Sequence, residues 1–316
     1  MVAMPDPLVD VELPLPDRRT GKVRASYAWG SGQRLFVTTD RLSAFDHIIA
    51  GVPWKGQVLN QLAAWWFEQT ADIVANHVVS VPDPNVTIAR TASTLPIEVV
   101  VRGHITGVTD TALWTAYERG ERVIYGHDLP DGLVKNQALP EALVTPTTKG
   151  EAGAHDVPIT CADVVEHRLV EESLWNRVHD IALALFARGV QVGQQAGLIL
   201  ADTKYEFGLT DAGELLLIDE MHTPDSSRWW VADTYDERMA AGAEPESLDK
   251  EVVRRALRDA GYSGDGEPPV LSPEVWEETT ARYINAYERL TGNTFVPGAY
   301  PAGPRIAEAV ASLGAP

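Results

Sequence analysis

The sequence predicts an α+β fold, with strands gathered in its first third and helices at its end. Three observations carry that prediction. Short runs rich in Val, Ile, Thr and aromatic residues, divided by Gly- and Pro-bearing turns, fill residues 20–107. Apolar residues recur at helical spacing over 56–72 and in several stretches beyond residue 160. The two kinds of run do not alternate one for one, so a parallel β/α sheet is not expected.

Taken in order, residues 1–20 read as an extended lead-in. “GKVRASYAWGSGQRLFVTTDRLSAFD” reads as two strands joined at Gly30-Ser31-Gly32, followed by a loop over 41–46. Leu59, Leu62, Ala63, Trp66 and Phe67 mark one face of a helix over 56–72. Strands follow over 77–81 and 85–90, around Pro82-Asp83-Pro84, and over 96–107. Residues 120–158 have no period and many Gly, Pro and Thr, so they read as one long functional loop. Thr160 with Asp163 forms a box-like start for a helix running, with a break, to about Ala187. “LILADTKYEFGL” (198–209) and “ELLLIDE” (214–220) form a hairpin around the turn “TDAG”, and “TPDSSRWW” (223–230) reads as the loop after it. Helices over 247–260, 273–291 and 304–313 close the chain; Ser272-Pro273-Glu274 supplies a cap, a Pro at the first position and an acid in the first turn.

Composition narrows the function. With 45% apolar and 22% charged residues the chain is a soluble globular type, and no apolar run reaches the length of a membrane helix. The acidic, Pro-rich start lacks the basic and apolar regions of a secretory signal. Cys161 is the single cysteine, so no intrachain disulfide forms, which fits a cytoplasmic location. A formal charge of -19 argues against a nucleic-acid partner but leaves room for a small anion in a local positive pocket. Of 26 basic residues only six are Lys, and four of these (Lys22, Lys55, Lys149 and Lys204) stand in Gly- or Thr-rich loops or on the charged strand.

That strand poses the sharpest question. Asp202, Lys204 and Glu206 occupy alternate positions, so they share one face. If Leu209 pairs with Glu214, Lys204 faces Asp219 and Glu206 faces Leu217; a one-residue slip puts Glu220 opposite Lys204. Either register gathers at least three acids around one lysine beside apolar runs. Burying several unneutralised carboxylates is costly, so a further positive charge belongs there. Oxygen ligands on neighbouring strands suit Mg²⁺, which takes one or two carboxylates and fills its shell with water and phosphate oxygens. In the following loop Arg228 is suited to bidentate binding of phosphate or carboxylate, and Ser226 and Ser227 offer hydroxyls.

“GKVRASY”, “TDRLSAFD”, “VVVRGHITG”, “TPTTKGEAGAHD”, “LILADTKYEFGL” and “LIDEMHTPDSSRWW” together resemble the phosphoribosylaminoimidazole-succinocarboxamide synthase (SAICAR synthetase) family, over roughly residues 20–260. The resemblance implies an ATP-grasp-like or kinase-like nucleotide cleft between two lobes: residues 1–108, β-rich and nucleotide-binding, and residues 109–316, an α+β substrate and metal lobe with C-terminal helices. It implies a ligase of purine biosynthesis. ATP phosphorylates the carboxylate of 5-amino-1-(5-phosphoribosyl)imidazole-4-carboxylate (CAIR), and L-aspartate then displaces phosphate. It implies Mg²⁺ at Glu206 and Asp219, with Lys204, Asp202 and Arg228 at the reacting centre. Gly21, Lys22 and Arg24 would lie over the ATP phosphates, Glu98 near the adenine edge, and Lys149 in a closing loop. Ser43, Asp46, Arg102, Asp156, Ser227 and Arg228 would bind substrate. Asp202 is the candidate acceptor of the aspartate ammonium proton. One departure stands out: Val108 occupies a position where many members have Ser, with Thr106, Thr109 and Thr111 nearby. The partners implied are small molecules alone, with the chain a monomer or homodimer. A small-molecule kinase on the same scaffold would make no amide, and a regulator without chemistry would lack the Glu206 and Asp219 pair.

Overall fold

Gly30 and Gly32 adopt φ of 55° and 71°, the left-handed region that a tight hairpin turn demands and that glycine enters without penalty. They join β2 (Arg24–Ala28) to β3 (Gln33–Thr38). The computed structural model describes residues 4–45, 47–149, 157–262, 264 and 266–314. With β1 (Arg19–Thr20), β6 (Val78–Asp83) and β7 (Val86–Arg90), these strands form an antiparallel sheet ordered β1-β2-β3-β7-β6. Its alternation is clean. Ala25, Tyr27, Leu35, Val37, Val86 and Ile88 are buried on one face with Leu8, Val11 and Leu13 of the lead-in. Ser26, Phe36, Thr38 and Thr87 line the other face.

Between β3 and β6 the chain makes β4 (Arg41–Ala44), β5 (His47–Gly51) and α1 (Lys55–Gln69). The loop expected over 41–46 is therefore a strand through Ala44. Leu42 and Ala44 alternate with Arg41 and Ser43, a period-two signal too short to stand out among polar neighbours. Helix α1 buries Leu59, Leu62, Ala63, Trp66 and Phe67, the apolar stripe expected of it.

The second sheet follows. After β8 (Ser93–Thr94), β9 (Ile97–His104), α2 (Leu113–Glu118), β10 (Val123–Ile124) and β11 (His127–Asp128) comes β12 (Ala138–Thr148). β13 (Val157–Pro158), α3 (Cys161–Glu166), α4 (Glu172–Gln195), β14 (Leu198–Leu209), β15 (Leu215–Ile218) and β16 (Ser227–Val231) complete this part. The sheet runs β13-β12-β9-β14-β15, with β8 and β16 also paired to β14. The expected long loop over 120–158 thus contains an eleven-residue interior strand, β12, which pairs with β9 along most of its length. Pro140 and Pro146 hid it, because Pro inside a run argues against a strand. Ser227–Val231, expected within a loop, is likewise a strand, held against Leu198–Thr203. β9, from before residue 108, lies between β12 and β14, from after it.

Thr160 caps α3 through a reciprocal box with Asp163, as its sequence requires. The expected break follows, and α4 runs to Gln195 across the apolar face of the sheet. The hairpin takes the slipped register: Leu209 pairs with Leu215 and Glu206 with Ile218. The pairing of Leu209 with Glu214, and of Lys204 with Asp219, does not occur. Leu215, Leu216, Leu217 and Ile218 are all buried, so an apolar run with no alternation left the register open to a slip of one. Helices α5 (Ala232–Ala240), α6 (Glu251–Asp259), α7 (Pro273–Thr291) and α8 (Ala302–Ser312) finish the chain. α6 packs on the β4–β5 hairpin through Val253 and Leu257, and α8 covers the first sheet through Ile306 and Val310.

Candidate active site

The site begins with a bulge. Leu200 pairs with Trp229 of β16, but Asp202 pairs with Arg228, so Ala201 is an extra residue on β14. The bulge changes the parity of the strand. Before it Leu198 and Leu200 enter the core; after it Tyr205 and Phe207 do. Asp202, Lys204 and Glu206 then share the opposite face, as the sequence predicts, although Asp202 and Glu206 are buried.

Two charge clusters lie along that face. In the first, Asp202 is flanked across the sheet by Arg102 of β9 and Arg228 of β16. Arg228 donates to its carboxylate, and Arg102 stands 3.5 Å from it. Arg102 is held in turn by the Thr145 hydroxyl at 2.8 Å and the Thr111 carbonyl at 3.0 Å. Burial lowers the Arg102 pKa; it opposes the charge of Arg228 too, but the Asp202 carboxylate overcomes it there and holds that guanidinium more firmly protonated than usual.

In the second cluster the Lys204 ammonium donates to Glu98 at 2.9 Å and to Glu206, and lies 3.8 Å from Asp219. Lys149, at the end of β12, donates to the other oxygen of Glu206. Arg24 bridges Asp219 and Glu220, the latter at 3.0 Å. Burial works against the Lys204 charge, but Glu206, Asp219 and Glu98 outweigh it and raise the pKa. Burial likewise opposes the Asp219 charge, and Arg24 and Lys204 overcome it, holding this carboxyl below the usual range. For Glu220 burial wins and its pKa rises. The further positive charge expected beside Lys204 is thus supplied by Lys149 and Arg24. Among the described residues no three His, Cys, Asp or Glu side chains converge as a ready-made metal cage.

Glu206, Ile218 and Asp219 form one wall of a cavity of about 470 Å³. Its other walls are the polar face of the first sheet, through Ser26, Phe36 and Thr38, and α1, through Asn60, Ala63 and Phe67. Arg24 reaches into it from β2. The cavity therefore joins both sheets, with apolar side chains interleaved with polar and charged ones that include Arg34 and Arg90, a concave mixed lining of the kind that small-molecule ligands use.

The remaining expected residues fall in several places. Gly21 makes a tight turn, its N–H donating to the Arg24 carbonyl at 2.8 Å, and Lys22 beside it is exposed. Glu98 sits in the carboxylate cluster. Ser43 lies on β4, in the hairpin packed against α6. Ser227 is buried with its hydroxyl 2.7 Å from that of Thr203, on the face opposite Asp202. Asp46 and Asp156 lie outside the described residues. Beside Val108, the Thr106 hydroxyl donates to Asn136, and those of Thr109 and Thr111 lie 3.4 Å apart.

Sequence reasoning missed a third network. Fully buried Lys55 donates to Asp225 at 2.8 Å, and the buried Tyr283 hydroxyl donates to the same carboxylate. The scarcity of lysine was the signal for Lys55; nothing in α7 marked Tyr283 as polar rather than core. Lys250 lies near this network, its pKa pushed down to about 8 by burial, with Asp225 opposing.

Comparison with known proteins shows the family. A sequence model of the family described as SAICAR synthetase matches residues 17–269. A putative phosphoribosylaminoimidazole-succinocarboxamide synthase 2 of Agrobacterium fabrum is 49% identical over 283 residues, 90% of this chain and 90% of that protein. A phosphoribosylaminoimidazole-succinocarboxamide synthase of Legionella pneumophila (strain Paris) is 47% identical over 294 residues, 93% of each chain. The structure of a SAICAR synthase from Saccharomyces cerevisiae in complex with SAICAR superposes with a TM-score of 0.77 and 32% identity, covering 91% of this chain and 99% of the yeast chain.

Proposed function

The chain belongs to the SAICAR synthetase family, and from that premise we propose which of its residues carry out the family's reaction. That reaction is ATP-dependent ligation of CAIR to L-aspartate in purine biosynthesis, and the chain is accordingly a carbon–nitrogen ligase. The division of labour follows the two clusters on β14. The observation that carries it is that the Lys204–Glu206–Asp219 cluster opens into the cavity, whereas the Asp202 cluster is rich in guanidinium.

The cavity takes ATP, with the base along Phe36, Ala63 and Phe67 and the phosphates toward Arg24, Glu206 and Asp219. Glu206 and Asp219 would hold a Mg²⁺ ion, as two carboxylates on neighbouring elements, the number this ion ordinarily takes from a protein. When bound, the ion neutralises charge on the phosphate oxygens. Lys204, held firmly protonated, places a compact positive charge where the phosphoryl group crosses between two anionic oxygens. Lys149 and Arg24, which neutralise the carboxylates here, exchange them for phosphate oxygens. Gly21 and Lys22 close over the phosphates; Glu98, expected near the adenine edge, instead fixes Lys204 at the phosphate end.

Arg102 and Arg228 bind the anionic imidazole nucleotide, Arg228 at its phosphate, and Ser43, Asp46 and Asp156 complete the substrate site; Ser227, turned to the face opposite Asp202, supports the strand instead. Asp202 orients both arginines and accepts a proton from the ammonium of aspartate, freeing its amine to attack the acyl phosphate. The chain works as a monomer or homodimer in the cytoplasm; of the two lobes expected at 1–108 and 109–316, the first gives up β8 and β9 to the second sheet. Among the described residues no helix is long and apolar enough to cross a membrane.

The test is a coupled ADP-release assay with ATP, Mg²⁺, CAIR and L-aspartate. Sustained ADP release requires both CAIR and aspartate. Turnover indifferent to aspartate would indicate a kinase and sink this reading.

A further inference from the structure

The ladder between β14 and β15 ends at the pair Glu206–Ile218. Asp219 then leaves the sheet at φ 67°, and His222 adopts φ 54°. Asp and His enter the left-handed region more readily than most non-glycine residues, and two of them within four positions turn the chain sharply here. The far end of this turn is fixed by backbone bonds: Ser227 N–H to Thr223 at 2.9 Å and Lys204 N–H to Ser226 at 3.0 Å. Asp219 and Glu220 hang between these supports, where backbone rungs no longer set their distance from β14.

His222 occupies that gap. It has no exposed surface, and its Nε2 lies 2.5 Å from the Tyr205 hydroxyl. Tyr205 stands on β14 between Lys204 and Glu206, with its side chain on the opposite, buried face. The ring meets Trp66 edge-on at 4.5 Å, and the indole N–H of Trp229 donates to the His222 carbonyl at 2.9 Å. Helix α4 leaves room for it: a Cβ on Gly189 would lie 2.3 Å from His222 Cε1. Burial pushes the imidazole pKa down to about 3 and raises that of the Tyr205 hydroxyl, so both partners are neutral at working pH.

We propose that the Tyr205–His222 hydrogen bond is a positioning link that sets Asp219 against Glu206, standing in for the missing rungs of the ladder. The proposal rests on the reading of Glu206 and Asp219 as the metal-binding pair.

The test compares Tyr205→Phe, Gly189→Ala and Asp219→Asn with the parent at a temperature below the Tm of every variant. It reads half-saturating Mg²⁺, half-saturating L-aspartate and Tm. Tyr205→Phe removes one oxygen and keeps the ring; Gly189→Ala keeps both partners and pushes on the imidazole. Each raises half-saturating Mg²⁺ about tenfold and leaves half-saturating aspartate unchanged. A fall in Tm with unchanged Mg²⁺ dependence in Tyr205→Phe makes the pair a core contact and overturns the proposal. If Asp219→Asn itself leaves Mg²⁺ dependence unchanged, the metal reading fails first and the proposal falls with it.

Discussion

The two ends of one strand carry opposite electrostatic surplus. Around Asp202, a single carboxylate sits between two guanidiniums. Around Lys204, the carboxylates of Glu98, Glu206, Asp219 and Glu220 gather about Lys204, Lys149 and Arg24. The first end offers guanidinium groups to an anion and the second offers carboxylates to a cation. Both are largely buried, so the imbalance is poorly screened and acts on whatever binds. A ligase that must hold an anionic nucleotide and a metal-bound polyphosphate side by side needs such a polarity along its floor.

The largest break in the comparison is Lys204→Met. It leaves three carboxylates without the ammonium they share, and kcat falls by about 10²–10³-fold. Lys204→Arg does not restore it, because a planar fork cannot sit as a point charge among Glu98, Glu206 and Asp219. Single-turnover ADP release measures both. A kcat within the range of the parent would remove Lys204 from the reacting centre.

Next comes the cation end. Asp219→Asn raises the Mg²⁺ requirement and lowers activity at fixed Mg²⁺ by about 10–100-fold, with CAIR affinity kept. A Mg²⁺ titration of initial rates reads this directly; loss confined to CAIR affinity would place Asp219 at the wrong end. Smaller again is Arg228→Lys at the anion end, which exchanges a bidentate fork for one donor beside Asp202 and raises the KM for CAIR about tenfold. An unchanged KM for CAIR would move the substrate phosphate elsewhere.

The smallest effect lies outside both clusters. The Lys250 pKa is about 8 in the folded chain, below the unfolded value of about 10.4. The unfolded chain therefore binds more protons between these values, and stability rises as pH climbs from about 8 to about 10.4. Below that window the cost of the buried ammonium is fully present. Urea unfolding across this range shows the rise in the parent and loses it in Lys250→Met. The same slope in the variant would trace it to another group.

Much of this was legible in the chain. Period-two spacing put Asp202, Lys204 and Glu206 on one face, and the Gly turns, α1 stripe and Thr160 box behaved as local chemistry dictates. What stayed hidden depends on contacts distant in sequence. Arg24 lies 195 residues from Asp219, and Lys55 lies 170 from Asp225. No local pattern shows that these will meet, so the positive charge that the acids require could be demanded but not named. β12 escaped because two prolines outweigh alternation in any local reading, although the strand is fixed by its neighbours β9 and β13. The slipped register of β14 and β15 had no polar alternation to pin it.

The central claim is that the two ends of β14 serve different ligands. Calorimetric titration of CAIR, without nucleotide or metal, into Arg228→Lys and Asp219→Asn tests it most directly. The account predicts CAIR binding weakened about tenfold by Arg228→Lys and unchanged by Asp219→Asn. Weakening by Asp219→Asn with none from Arg228→Lys would contradict it.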